Sequence, residues 1–204
     1  TVEATGTKKS RTFYAGRLRG EELADYLHNF NGREDGAGAD VISSTTVYYY
    51  GTTPAVHDRA GDVDWAGSAA MTASTVYNSM PDGLATLTYG STVEPGMRSR
   101  TFYTGFKGDE LVDFTQTFLQ SLKPDGTFEY LVKDTAVYTY LTAAVATDVL
   151  DFVTTSRGGT LNSRGTAYGT VSGAIAGTGT KSVTDYAGLV RGAEAVAQRE
   201  LCPE

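Results

Sequence analysis

The feature that most constrains this chain is a stretch that it contains twice. Ser10-Arg11-Thr12-Phe13-Tyr14-Ala15-Gly16 leads on to Gly20-Glu21-Glu22-Leu23-Ala24-Asp25-Tyr26, and Ser99-Arg100-Thr101-Phe102-Tyr103-Thr104-Gly105 leads on to Gly108-Asp109-Glu110-Leu111-Val112-Asp113-Phe114. Ten positions are identical once one residue is dropped between the two glycines of the second copy. Four more pairs, Leu18 with Phe106, Arg19 with Lys107, Glu21 with Asp109 and Tyr26 with Phe114, keep their chemistry. This is an internal duplication. It speaks about architecture, because neither copy holds a reactive constellation.

Each copy reads as a strand followed by a helix. Residues 11–18 favour an extended strand, Gly20 breaks it, and Glu21 and Glu22 stand where a helix N-terminus welcomes negative charge. Leu23, Tyr26, Leu27 and Phe30 then recur at i, i+3, i+4 and i+7, which predicts a short amphipathic helix. The second copy repeats this with a strand at 101–106 and a helix from Asp109 that carries Leu111, Phe114, Phe118, Leu119 and Leu122 on one face. In each copy Phe13 or Phe102 is a core anchor, and Arg11 or Arg100 pairs with a nearby carboxylate. His28 falls on the polar side of the first helix and reads as a surface residue.

Beyond the repeats, β-branched and aromatic residues mark strands at 41–50, 69–77 and 127–140. Val47-Tyr48-Tyr49-Tyr50 aligns with Val137-Tyr138-Thr139-Tyr140, which carries the duplication past the helix. Residues 84–92 read as a strand that forms a hairpin with 69–77 through the turn Asn78-Ser79-Met80-Pro81-Asp82-Gly83. Residues 143–153 lean to a strand, and 166–175 and 185–200 close the chain as β-rich segments, with a helix over 193–201 as the alternative. The expected fold is therefore α+β and strand-dominated. Two duplicated strand-helix-strand-hairpin units, 10–92 and 99–192, form antiparallel sheet curled into or towards a barrel, with two short amphipathic helices packed on it, in one compact unit over 1–204.

Charge excludes some partners. The 204 residues carry 17 basic and 24 acidic side chains, a formal net charge of -7, without a Lys/Arg cluster longer than a pair. A phosphate backbone needs a concentrated positive surface, so nucleic acid is not an expected partner. No apolar run reaches the eighteen or so residues that span a bilayer as a helix, and a soluble protein without a visible signal peptide is expected. Cys202 is the one cysteine, so no intramolecular disulfide forms and compartment stays unknown.

Two sets of residues offer chemistry. The loop His57-Asp58-Arg59-Ala60-Gly61-Asp62-Val63-Asp64-Trp65 is the densest in functional side chains. Asp58, Asp62 and Asp64 lack the alternation and terminal glutamate of an EF-hand loop, and His57 beside Asp58 is poorly placed to share a hydrogen bond. A solvated loop tucked down by Trp65 is the plainer alternative. With His28 and His57 the only histidines, no metal centre and no cofactor is expected.

The second set is tyrosine. Tyr48 and Tyr50 project from one face of their strand, and Tyr138 and Tyr140 reproduce the pair. Four phenols converging inside a barrel would suit a small hydrophobic ligand, aromatic or polyene, with hydroxyls as polar handles. Packing in the core, or decoration of an interface between protein subunits, is the alternative. The chain has no P-loop, Rossmann fingerprint, nucleophile elbow or Cys-His arrangement.

The run from Gly165-Thr166-Ala167-Tyr168-Gly169 through Gly177-Thr178-Gly179 to Tyr186-Ala187-Gly188-Leu189-Val190-Arg191-Gly192 resembles the closing hairpin of the allene oxide cyclase and dirigent barrels. There a Gly-Thr-Gly turn leads into a Tyr/Phe-x-Gly-x-x-Gly strand. Here six residues separate Gly179 from Tyr186, and an extra residue lies between Gly188 and Gly192. The resemblance implies a barrel and cyclase or isomerase chemistry on a hydrophobic ligand, and it carries over no catalytic residue. Two functions follow as expectations: a small-molecule-binding β protein with a tyrosine-lined pocket, or a non-enzymatic assembly subunit of a virion, filament or antenna-type complex that forms homo-oligomers.

Overall fold

The protein is described by a computed structural model over residues 8–16, 22–34, 40–53, 55–63, 69–90, 93–140, 149–159, 179–187 and 195–198. Its strands are β1 (Ser10–Ala15), β2 (Leu23–Glu34), β3 (Asp40–Gly51), β4 (Asp58–Arg59), β5 (Ala70–Tyr77), β6 (Met97–Thr104), β7 (Leu111–Leu122), β8 (Phe128–Tyr140), β9 (Leu150–Arg157), β10 (Gly179–Ala187) and β11 (Ala195–Gln198). They form one antiparallel sheet in the order β1-β2-β3-β5-β6-β7-β8-β9-β10-β11, and the two-residue β4 pairs with β3 off this path. β1 and β11 lie at opposite ends of the strand order and the sheet does not close. The expected barrel is therefore replaced by an open meander.

The two expected amphipathic helices are absent as well, because both segments are strands, β2 and β7. The misleading signal has a physical origin. Phe13 pairs with Tyr26 and Tyr14 with Ala24, so Asp25 is an extra residue in β2. Phe102 pairs with Phe114 and Tyr103 with Val112, so Asp113 is the same extra residue in β7. A bulge of one residue stretches the two-residue alternation to three and imitates a helical spacing between Leu23 and Tyr26 and between Leu111 and Phe114. Beyond the bulge Phe114, Gln116 and Phe118 are buried, alternating with Thr115 and Thr117, as in a strand covered on one face.

Segment 84–92 departs from expectation too. Leu84–Thr86 is a single 3-10 turn, the one helical element among the described residues, and the chain then runs without strand pairing to residue 90. Gly83 enters the turn in the left-handed region at φ 67, which a side chain would disfavour. Of the closing segments, 166–175 lies outside the described residues, and Ala195–Gln198 is strand where a helix was the alternative.

Directly paired residues project from the same face of an antiparallel sheet, which defines the core. One row runs Tyr49, Ala73, Phe102, Phe114, Val137 and the next Val47, Thr75, Arg100, Gln116, Thr135. Leu84 lies on this face with Leu87, Tyr89 and Val93, so the connection between β5 and β6 forms a strap over the sheet. Phe102 and Phe114 stack at 4.5 Å between ring centres and are fully buried. Each such ring contributes about 1.5–3 kcal/mol through removal from water. A smaller cluster gathers Tyr50, Ala60, Val63 and Ala69, with Ala15, Leu23, Tyr48 and Met71 against it.

Candidate functional site

A polar cluster lies where the strap meets the sheet. The bulge at Asp25 turns its carboxylate towards β4, where it receives Arg59 Nε and Nη2, both at 2.7 Å. Arg59 Nη1 also donates to the carbonyls of Leu84 and Leu87 at 3.0 Å. One guanidinium thus joins β2, β4 and the strap.

Arg100 enters from β6. It is fully buried, its Nε donates to Thr75 Oγ1 at 3.1 Å and its Nη1 to the Gly90 carbonyl at 2.8 Å. Its charge lies 4.4 Å from the centre of the Tyr89 ring, a favourable cation-π distance. Among the described residues no carboxylate bonds to it, contrary to the expected ion pair, and its Nη2 is buried without a hydrogen bond there. Arg11, its counterpart in the first copy, is exposed with its guanidinium over the Phe13 ring at 4.7 Å.

Three tyrosines complete the network. Tyr77 donates to Glu94 Oε2 at 2.8 Å, and burial, with the Tyr49 phenol and the Glu94 bond adding to it, pushes its pKa up. Burial likewise pushes Tyr49 up to about 12. Tyr89 packs edge-on against Tyr49 and tilted against His57, at 5.4 and 4.1 Å between ring centres. At neutral pH the Tyr49 and Tyr77 phenols are protonated and offer hydrogen bonds, not phenolate bases.

The residues singled out by sequence divide into separate places. Tyr48 and Tyr50 lie on β3, and Tyr138 and Tyr140 on β8. Three strands stand between them, four strand steps or about 19 Å along the sheet. Two of the hydroxyls are committed: Tyr50 donates to the Ala24 carbonyl and Tyr140 to that of Val112, each at 2.8 Å. Tyr48 is half-buried, its pKa raised by burial and by the neighbouring Tyr103 and Tyr14 phenols.

His57 shares a hydrogen bond between Nδ1 and Thr72 Oγ1 at 2.9 Å and lies against Tyr89 beneath the strap. Asp58 is exposed on β4, opposite Tyr50 in the register. Trp65 lies outside the described residues. Among the described residues, no group of three or more His, Cys, Asp or Glu side chains is placed to hold a metal ion, and no helix is long and apolar enough to cross a membrane.

Sequence reasoning missed Arg59, Asp25, Tyr77, Glu94 and Tyr89 as a group. The Asp25 to Arg59 contact spans 34 residues, and no short-range spacing announces it. It also took His28 for a surface residue. His28 is buried, with Nδ1 at 3.0 Å from Thr45 Oγ1, and its pKa is lowered by burial and by Arg11. No protein-family model matches the chain, and comparison with curated proteins and with solved structures likewise returned no match.

Proposed function

We propose that the protein is a non-enzymatic assembly subunit, a sheet that grows sideways by addition of equivalent units. The observation that carries this reading is the recurrence of one pairing pattern. The β1–β2 hairpin and the β6–β7 hairpin share their register and their bulged aspartate. Phe13 and Tyr26 stack at 4.3 Å as Phe102 and Phe114 do at 4.5 Å. His28 bonds Thr45 as Gln116 Nε2 bonds Thr135, and Tyr50 bonds Ala24 as Tyr140 bonds Val112. The repeated side chains thus hold strands together and are not gathered at one reaction centre.

Sedimentation velocity across a hundredfold range of concentration tests this. Association that grows with concentration is expected, and a monomer throughout would overturn it.

A second reading, binding of a small hydrophobic ligand, is favoured by one observation. Burial, with the neighbouring Tyr103 and Tyr14 phenols adding to it, raises the Tyr48 pKa, and Tyr103 Oη is 3.2 Å from Ser74 Oγ. Saturable quenching of tyrosine emission by an aromatic or polyene probe, lost on Tyr48→Ala, would support that reading. Unsaturable quenching would count against it.

A further inference from the structure

The chain starts the same unit a third time. Ser182-Val183-Thr184-Asp185-Tyr186-Ala187-Gly188 follows the pattern Ser-x-Thr-x-Tyr-Ala/Thr-Gly of Ser10 to Gly16 and Ser99 to Gly105. Its pairing agrees: Tyr14 faces Ala24, Tyr103 faces Val112 and Tyr186 faces Val196. Ala15 faces Leu23, Thr104 faces Leu111 and Ala187 faces Ala195. The third hairpin lacks the bulge, since Ala197 pairs with Asp185, and carries Val183 and Asp185 where the other two carry arginine and phenylalanine. In this frame β1, β6 and β10 are first strands, and β5 and β9 are fourth strands.

Each later first strand is covered by the preceding fourth strand in one register. On β6, Thr75 faces Arg100, Val76 faces Ser99, and a shift past Arg98 brings Tyr77 to Met97. On β10, Thr154 faces Val183, Thr155 faces Ser182, and a shift past Lys181 brings Ser156 to Thr180. The contact is therefore a recurring interface, bulge included. β1 bears the same Ser-Arg-Thr-Phe-Tyr as β6, yet no strand among the described residues pairs with its outer edge. Under this contact Arg100 and Phe102 are wholly buried, whereas Arg11 is exposed and Tyr14 is 66% exposed.

We infer that the outer edge of β1 is a docking surface for an antiparallel strand of the fourth-strand kind, donated by a separate polypeptide. Its chemistry follows from the two internal examples. Both put a threonine, Thr75 or Thr154, at the place opposite Arg11, and in β6 Thr75 accepts from Arg100. Opposite Phe13 the β6 example, which shares the phenylalanine, calls for a small residue like Ala73, whereas β10 pairs Asp185 with Phe152. The backbone is prepared for it. Phe30 N–H donates to the Lys9 carbonyl at 2.9 Å, so Lys9, Arg11 and Phe13 turn their backbone groups to β2. Alternation leaves those of Ser10 and Thr12 pointing outward, paired with no strand among the described residues, as an edge that accepts a strand. The inference rests on the assembly reading and divides the two edges of the sheet: β1 takes a strand from a different polypeptide, and association of like chains falls to the opposite edge at β11.

The test uses the full chain and a labelled peptide with the sequence of Ala70–Tyr77. Saturable binding with a Kd below about 1 mM is expected, together with new hydrogen-exchange protection at the Ser10 and Thr12 amides and none at Arg11 or Phe13. Thr12→Pro removes an outward N–H that β2 does not use, and is expected to weaken binding at least about tenfold. A scrambled peptide that binds equally, or protection that appears elsewhere, overturns the inference. So does protection of Ser10 and Thr12 that appears on concentrating the chain without peptide, since the occupant would then be a second copy. Sedimentation of the unliganded chain reports on the assembly reading separately, so failure of either is recognised independently.

Discussion

Removing the Asp25 carboxylate is the sharpest test of how the strap is held. Asp25→Ala deletes two 2.7 Å bonds and leaves Arg59, 8% exposed, with only the Leu84 and Leu87 carbonyls. Breaking a buried ion pair by removing one partner costs about 3–5 kcal/mol, because the surviving charge stays desolvated. Asp25 is 18% exposed, so water screens part of the pair and the low end, about 3 kcal/mol, is expected. For a chain of this size that lowers Tm by about 6–12 °C. Urea unfolding of Asp25→Ala, Arg59→Met and the double variant measures the coupling. The double variant should lose less than Asp25→Ala alone, since no unpaired charge remains. A coupling below about 0.5 kcal/mol would refute the reasoning, as would amides at Leu87 and Gly90 whose hydrogen exchange is unchanged in Asp25→Ala.

His28 should make the fold acid-sensitive. Its folded pKa is lowered from 6.5 by burial and Arg11, so its contribution is complete above pH 6.5 and is lost as pH falls towards the lowered folded value. His28→Gln copies Gln116, and its urea midpoint should change less between pH 7.5 and 5.5 than that of the parent; an equal change would show that other groups set the slope. Tyr50→Phe and Tyr140→Phe should each cost about 1 kcal/mol by loss of one hydrogen bond, and thermal scans giving one a large loss and the other none would break their equivalence. Gly105, at φ 103, would bring a Cβ to 2.6 Å from the Asp109 carbonyl oxygen, so Gly105→Ala should lower stability by more than about 1 kcal/mol, read by urea unfolding. An unchanged midpoint would mean that the turn relaxes freely.

The strands most visible in the sequence, β3, β5 and β8, are rich in Val, Thr and Tyr, whose branched or aromatic side chains suit a pleated, half-buried surface. β2 and β7 were hidden because Leu, Ala and Phe fit either structure and one inserted aspartate shifts the apolar spacing. A bulge depends on the partner strand, which a linear pattern does not contain. The strap was hidden for a similar reason: residues 84–92 read as a strand of a hairpin, while the donors that claim its carbonyls come from Arg59 and Arg100. Tyr48, Tyr50, Tyr138 and Tyr140 were legible as matched pairs, and their separation became visible only with the order of the sheet.

That order, in which each strand pairs only with those beside it in the sequence once the short β4 is set aside, makes the molecule a line of successive interfaces. Loops that must close before each pair forms are short, apart from those between β3 and β5, between β5 and β6 and between β9 and β10, so most hairpins can form locally and join in sequence. Loss of structure should then travel inward from both ends, hairpin by hairpin, as fraying does in repeat proteins. The strap stands against this. By fastening β2 and β4 through Arg59 and β6 through Arg100 to one segment, it makes the stretch from β2 to β6 a single cooperative block, the last part of the sheet to let go.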